Sequence, residues 1–235
     1  MKRHFLLPVY TLLLLFMGVA YMNAQTPLIT MTTIDADNYE GSIAFSLSGS
    51  EEDFKSLLID AGYGKKPANE VDSEGKIPIK GNVVKIYGTC QGFVAPMERV
   101  KNLEFAENEC IKQLSLMLNE FPQGLDLSAN KALENVSFMS CEMQSLDFSK
   151  LPATLKQLYL SSNELTSVDL SGLPRLETIY IDENPKIQSV DFSKNPHLNR
   201  INISGNPLIK SVDLAANKEL VVFEAWDCNL SDLDL

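Results

Sequence analysis

Apolar and polar residues follow a fixed pattern over the second half of the chain. The pattern recurs every 21 to 22 residues, and all 36 apolar positions of its six complete rows hold apolar residues. The rows begin at Leu103, Leu125, Leu146, Val168, Val190 and Val212, and a seventh begins at Leu233. A repeat of this length predicts a solenoid, because a single row cannot bury its apolar side and each coil must stack on its neighbours.

Each row contains two short alternating segments. In Leu158-Tyr159-Leu160 the two leucines fall on one side of a strand and the tyrosine on the other. The run Val168-Asp169-Leu170 also alternates, which predicts an extended segment rather than a helix at the back of the coil. Coils stacked about 4.8 Å apart therefore form a parallel sheet in front, with little curvature, and extended segments behind it.

The central part of each row reads L-x-x-L-x-L-x-x-N/C-x-L. One row supplies it as Leu155, Leu158, Leu160, Asn163 and Leu165. This resembles the leucine-rich repeat family, and the 22-residue period with a short second strand is similar to the internalin-like repeats of bacterial surface and secreted proteins. The resemblance covers residues 103–235 and implies no particular ligand. We predict a mainly β fold: a leucine-rich repeat solenoid with a parallel β-sheet and short extended back strands, preceded by a small β-rich capping domain.

One polar position in each row follows the predicted strand, where the chain turns inward. Its occupants are Asn119, Cys141, Asn163, Asn184, Asn206 and Cys228. A buried amide there satisfies backbone groups that the turn leaves unpaired, which predicts a structural ladder of Asn and Cys. Cys141 and Cys228 lie four coils apart, about 19 Å, so we expect two free, buried thiols rather than a disulfide.

Residues 26–88 follow a different pattern and predict a small β-rich domain. Apolar residues alternate with polar ones in short runs, and glycines separate the runs. Ser50, followed by three acidic residues, predicts a helix N-cap with Gly62 as terminator; a strand through residues 57–59 is the alternative. Because a terminal coil must hide its open apolar end, we expect this domain to cap the solenoid.

Residues 89–102 are expected to form a junction and an irregular first coil. Val84-Lys85-Ile86 has the spacing of a repeat strand and predicts a degenerate coil, so that residues 90–100 become an insertion ahead of the regular rows. Cys90 and Cys110 flank this insertion and are candidates for a disulfide in an oxidising compartment. Packing of Cys110 without a bond is the alternative.

The N-terminal 25 residues have the pattern of a secretory signal. Lys2 and Arg3 precede an apolar stretch, and small residues follow it up to Ala24, the expected cleavage point, with Ala20 as the second choice. An uncleaved N-terminal anchor is the alternative. We predict an exported protein: secreted, periplasmic or on the cell surface.

Charge and composition exclude several function classes. The net charge is −11, and an acidic surface repels phosphate backbones, so we predict no nucleic-acid binding and no membrane insertion after signal removal. Beyond residue 25 the one histidine is His197, and no serine or cysteine nucleophile has a credible base. We therefore predict no enzymatic activity, no cofactor and no metal ion.

An acidic residue occupies the second position of every row. These residues are Glu104, Asp126, Asp147, Asp169, Asp191, Asp213 and Asp234. Like charges one coil apart repel, so we expect each carboxylate to accept a hydrogen bond from the turn amide two residues later. Cation binding between coils is the alternative, although one carboxylate per coil falls short of the roughly six to eight oxygens that calcium requires.

The outward positions of the front sheet form the candidate binding site, where Tyr159 and Tyr180 are expected side by side. The candidates are Gln157, Tyr159, Tyr180, Asp182, Arg200, Glu224 and Trp226. Aromatic and guanidinium groups are enriched at binding hot spots, which predicts a secreted or surface-exposed module that recognises a protein, or less readily a glycan. Two alternatives are aromatic residues that only stabilise the sheet, and an assembly protein that self-associates through Leu230 and Leu233 of its last coil.

Overall fold

The computed structural model describes residues 26–33, 42–68, 77–96 and 100–234, so the predicted signal segment lies outside the described residues. The strands in chain order are β1 Ile29–Thr33, β2 Ser42–Ile43, β3 Ser46–Ser48, β4 Leu58–Asp60, β5 Lys66–Pro67, β6 Ile77–Pro78, β7 Val83–Tyr87, β8 Gly92–Val94, β9 Val100–Phe105, β10 Gln113–Ser115, β11 Asn135–Ser137, β12 Gln157–Tyr159, β13 Thr178–Tyr180, β14 Arg200–Asn202, β15 Ser211–Asp213, β16 Val222–Glu224 and β17 Asp232–Asp234. A helix, α1, spans Glu51–Ser56, and a 3-10 turn spans Phe148–Lys150. No described helix has the length and apolar character needed to cross a membrane.

The N-terminal unit is built around a five-stranded antiparallel sheet in the order β5-β4-β7-β1-β9. Its inward residues include Ile29, Met31, Val84 and Ile86, which are fully buried. The prediction that residues 84–86 begin the solenoid is wrong. Both edges of β7 are already paired antiparallel, with β1 and β4, so this strand has no free edge for a parallel coil.

The helix and the strand that competed for residues 50–62 both exist, one after the other. Ser50 caps α1: its hydroxyl accepts the Asp53 amide at 3.2 Å, and the Asp53 carboxylate accepts the Ser50 amide at 2.7 Å. The helix ends at Ser56 instead of continuing to Gly62, because Leu58 already belongs to β4 and pairs with β7.

The solenoid is a parallel front sheet in which each coil adds one strand. From β8 through β10, β11, β12, β13 and β14 to β16 the strands pair in register, and β3 adds antiparallel to β8 at the N-terminal edge. The central residue of each strand points inward, as Leu158, Ile179 and Ile201 do, and is fully buried. The predicted fold class, a mainly β leucine-rich repeat solenoid, is therefore confirmed.

The boundary between the two units is interleaved. The expected insertion at residues 90–100 is wrong in part, because β8 is the first front strand and its Phe93 is fully buried opposite Leu114. The first predicted row, beginning at Leu103, instead places its back segment in β9, which completes the N-terminal sheet. The N-terminal unit therefore contacts the first coil through β3 in front and β9 behind.

The back of the solenoid is extended, but regular strand pairing is rare there. Among the described residues the paired back strands are β15 and β17, which run parallel in register. Elsewhere the back consists of turns, with a 3-10 turn at Phe148–Lys150. Back segments therefore differ in detail while the front strands remain uniform.

Candidate binding face

The front sheet presents outward residues in three columns, which follow from the alternation within each three-residue strand and its end. The first column contains Gln113, Asn135, Gln157, Thr178, Arg200 and Val222; the second Ser115, Ser137, Tyr159, Tyr180, Asn202 and Glu224; the third Met117, Met139, Ser161, Asp182, Ser204 and Trp226. Most of these side chains are exposed or half-buried, whereas Thr178 and Ser161 are buried.

Tyr159 and Tyr180 are adjacent, as predicted. Their ring centroids lie 5.3 Å apart with an interplanar angle of 73°, which is an edge-to-face contact. The Tyr159 hydroxyl contacts the side-chain carbonyl of Gln157 at 3.4 Å. Partial burial raises the pKa of Tyr159, the neighbouring Tyr180 raises it further, and the charge of Arg200 opposes the shift. The pair is thus a preformed aromatic surface close to a cation.

Asp182 and Arg200 occupy neighbouring coils but do not form an ion pair in the described structure. Asp182 instead accepts a hydrogen bond from the buried Ser161 hydroxyl at 2.6 Å. Arg200 is exposed, and none of its side-chain donors has a hydrogen-bond partner among the described residues. Its guanidinium is therefore available to an external carboxylate or aromatic group.

Trp226 projects from the last complete coil with 75% of its surface exposed. Its backbone amide donates to the Ser204 hydroxyl at 3.1 Å, which fixes the turn that carries the ring. Glu224 is half-buried on the strand beside it. Trp226 lies two coils beyond the tyrosine pair, so the candidate residues extend along the sheet instead of converging on one pocket.

A shallow groove lies at the other end of the front face and was missed as a candidate site from the sequence. It has a volume of about 260 Å³ and crosses β8, β10, β11 and β12. Its outward lining residues are Val94, Gln113, Ser115, Asn135, Ser137, Gln157 and Tyr159. Small serines at two successive coils, next to a tyrosine at the third, are the sequence signal for this depression.

The predicted Asn/Cys ladder sits behind the front sheet. Asn163 donates to the carbonyls of Phe138 and Leu160, each at 2.8 Å, and its side-chain oxygen accepts the amides of Cys141 and Met143. Asn119, Asn184 and Asn206 make equivalent bonds and are buried. Each amide thus links its own coil to the preceding one, which is a structural role.

The cysteines of the ladder behave as weak donors. Cys141 is buried, its thiol contacts the Leu116 carbonyl at 2.9 Å, and burial raises its pKa to about 11. Cys228 was expected to be buried but is half-exposed, because it lies in the last complete coil. Cys90 and Cys110 are free thiols, so the suggested disulfide is absent; Cys110 contacts the Asn108 side chain at 3.6 Å instead.

A second column of asparagines runs near the back of the coils and was not recognised in the sequence. It contains Asn108, Asn130, Asn195 and Asn217. Asn217 donates to the Asn195 carbonyl at 2.8 Å, and Asn195 donates to the Leu173 carbonyl at 2.8 Å. Leucines occupy this position in the two middle coils, at Leu151 and Leu173, and this interruption conceals the column.

Five carboxylates of the acidic column on the back are satisfied locally, as expected, whereas Glu104 in β9 accepts the Asn102 side-chain amide at 3.2 Å instead. Asp191 accepts the Ser193 amide at 2.8 Å, and Asp213 accepts the Ala215 amide at 2.8 Å. Asp126, Asp147 and Asp169 accept the amide two residues later in the same way. Hydrogen bonds from the Ser193 amide and hydroxyl hold the pKa of Asp191 below its usual value. No group of three metal-ligating side chains occurs in the described ranges.

Comparison with known proteins supports the repeat assignment. Residues 153–195 match the model of a family described as leucine rich repeats in two copies. Comparison with curated protein sequences finds no significant match. One similar solved structure is the functional domain of InlJ from Listeria monocytogenes, which includes a cysteine ladder. It is 22% identical over 54% of this chain, with a TM-score of 0.44, and the match spans 32% of that chain.

Proposed function

We propose that this leucine-rich repeat chain is an exported binding module that recognises a protein partner through its front sheet. The observation that carries the proposal is the state of the front side chains. The Tyr159–Tyr180 pair is preformed, Arg200 has no ionic partner among the described residues, and Trp226 is largely exposed. Tyrosine, tryptophan and arginine are the residue types that most often dominate protein interfaces.

The tyrosine pair loses little conformational freedom on binding. Each tyrosine is already held by its neighbour, so little side-chain entropy remains to be lost. The unpaired Arg200 guanidinium carries five donors in a planar fork and selects for a carboxylate or an aromatic face. The protein partner is therefore expected to present an acidic and aromatic patch.

Export supports the same proposal from the sequence side. A secretory signal at residues 1–25 delivers the chain to a compartment where cell-surface proteins are accessible. The leucine-rich repeat fold is one that commonly displays an extended binding surface.

The test is capture of surface proteins by the purified chain, with matched variants. The bait is wild-type protein, Tyr159→Ala/Tyr180→Ala, or the back-face control Asp169→Ala/Asp191→Ala, each cross-linked to a cell-surface fraction and analysed by mass spectrometry. We expect a protein that is captured by the wild type and the back-face control and lost with the tyrosine variant. A capture profile that is identical for all three baits contradicts the proposal.

A second candidate function is self-association through the last coil. Val221 and Leu233 are exposed there, and Phe223 and Leu230 are only partly covered, unlike their fully buried equivalents in the middle coils. Sedimentation velocity over a concentration series tests it. A dimer that dissociates with Leu230→Ser/Leu233→Ser, but persists with Tyr159→Ala/Tyr180→Ala, favours assembly over partner recognition.

A further inference from the structure

The groove on β8 to β12 is chemically different from the rest of the front face. Gln113, Asn135 and Gln157 stand side by side on adjacent in-register strands, so three carboxamides form a row along the solenoid axis. Ser115 and Ser137 form the floor of the groove beside this row. Every side chain that lines the groove is uncharged.

These polar groups have little to bond within the protein. Among the described residues, the side chains of Gln113, Asn135, Ser115 and Ser137 have no hydrogen-bond partner, and Gln157 has only the long contact with Tyr159. Asn135 and both serines are half-buried, so only part of each side chain faces water. Four polar side chains that converge on one groove without internal partners are free to bond a ligand.

The other half of the same sheet shows that this state is not a general property of the face. Ser161 donates to Asp182 at 2.6 Å, and the Asn202 side-chain oxygen accepts the Ser204 amide at 3.0 Å. There, serine and asparagine side chains are used within the protein. In the groove the same residue types remain available.

The ligand that fits this lining is neutral and rich in groups that both donate and accept. Carboxamides and hydroxyls each do both, which matches sugar hydroxyls. The nearest charged side chains lie directly before the front strands and offset one another, since Lys156 forms an ion pair with Glu134 at 2.8 Å. At the two ends of the groove Tyr159 and Val94, which is 37% exposed, provide apolar surfaces for the C–H faces of a ring.

The spacing of the carboxamides along the row favours a sugar chain over an extended peptide as the ligand. The carboxamides repeat at the strand spacing of about 4.8 Å. An extended peptide repeats its groups on one side about every 6.6 Å, so a peptide along the axis falls out of register by the second coil. A linear chain of pyranose rings presents new hydroxyls at each ring, on a scale close to one coil.

We propose that this groove binds a neutral, linear oligosaccharide, with the carboxamides of Gln113, Asn135 and Gln157 and the hydroxyls of Ser115 and Ser137 as its hydrogen-bonding groups. The site overlaps the protein-binding surface proposed above at Gln157 and Tyr159 and otherwise lies on the coils of β8, β10 and β11. It adds a ligand class that the proposed function does not require.

The experiment is binding of the purified chain to an array of immobilised neutral and sulfated oligosaccharides, followed by titration of the best neutral hexasaccharide. We expect saturable binding to at least one neutral linear glycan, preferred over its sulfated form. Asn135→Ala weakens it about tenfold, because a half-buried amide loses its hydrogen bonds. The matched control is Asn202→Ala, the same substitution on the same face, which leaves the affinity unchanged.

The inference is overturned if no neutral glycan binds, if the sulfated glycans are preferred, or if Asn135→Ala and Asn202→Ala lose equal affinity. Binding of an uncharged Gly-Ser peptide as tight as that of the best glycan also overturns it. These results leave the protein-binding proposal intact, because none of them reports on Tyr180, Arg200 or Trp226, which lie outside the groove. A folding defect is identified by comparing the melting temperatures of both asparagine variants with that of the wild type.

Discussion

The front and the back of each coil share one repeat period but use it differently. On the back, Asp and Ser recur at fixed positions, and carboxylates from Asp126 to Asp213 bond the amide two residues later. On the front, no column keeps one residue type along the whole sheet. Constant residues on the back perform a task that each coil needs. Variable residues on the front perform none that all coils share, which agrees with the proposed recognition through that face.

Both faces depend on the Asn/Cys ladder between them. Asn184, for example, donates to the carbonyls of Leu160 and Ile181 and accepts the amide of Leu165. The ladder joins the end of each front strand to the preceding coil, so it fixes the coil spacing that both faces use. Four predictions test the difference between the faces, in order of decreasing effect on stability.

Breaking the ladder is expected to have the largest effect. Asn184→Leu removes the amide that serves two coils and leaves several buried backbone groups unpaired, which costs about 3 kcal/mol of unfolding free energy. Urea denaturation measures this. The control is Asn199→Leu, a half-buried front residue whose side chain has no hydrogen bond among the described residues, and it is expected to change stability by less than about 0.5 kcal/mol. Equal losses for the two variants refute a structural ladder.

The aromatic pair on the front is expected to stabilise the fold only modestly. The contact between Tyr159 and Tyr180 has edge-to-face geometry, for which a coupling of about 1 kcal/mol is typical. A double-mutant cycle with Tyr159→Leu and Tyr180→Leu measures it through urea unfolding. A coupling above about 3 kcal/mol means that the pair serves the sheet itself, which favours a structural role over recognition.

Acidification is expected to weaken the hydrogen bonds of the back carboxylates. Hydrogen bonds from the amide and hydroxyl of Ser193 lower the pKa of Asp191 from 3.8. A lowered native pKa means that the stabilisation is present above pH 3.8 and is lost as the pH falls through the native value. Asp191→Asn keeps an acceptor and removes the titration. Its melting temperature is therefore expected to fall slightly less than that of the wild type between about pH 5 and about pH 3; parallel curves contradict this.

Calcium is expected to have the smallest effect. The back carboxylates already accept turn amides, and each coil supplies a single acidic group to this column. Addition of calcium or of excess chelator is therefore expected to shift the melting temperature by less than about 1 °C. A calcium-dependent rise of several degrees that is lost in Asp169→Asn/Asp191→Asn would revive the cation alternative.

The sequence predicts the regular part of the molecule well, because its information is local and repeated. The ladder, the tyrosine pair and the back hydrogen bonds follow from one period. The junction could not be predicted in the same way. Val84-Lys85-Ile86 and a repeat strand have the same local alternation, and only pairing with the distant β1 and β4 distinguishes them.

The candidate site shows the same division. The exposure of Trp226 and the adjacency of the tyrosines follow from the register. The absence of an Asp182–Arg200 ion pair in the described structure does not, since it depends on side-chain conformation: Asp182 accepts the Ser161 hydroxyl of the preceding coil instead. The groove could not be predicted from single columns of residues either, because its depth comes from small residues in two coils beside a large residue in the third.

The most direct test of the central claim is the affinity of a captured surface protein for three forms of the chain. Biolayer interferometry compares the wild type, Tyr159→Ala/Tyr180→Ala, and Asp169→Ala/Asp191→Ala. We predict that the front-face variant weakens binding by about 30-fold or more, while the back-face variant stays within about twofold of the wild type. Equal affinity for the front-face variant and the wild type, or a loss confined to the back-face variant, would contradict recognition through the front sheet.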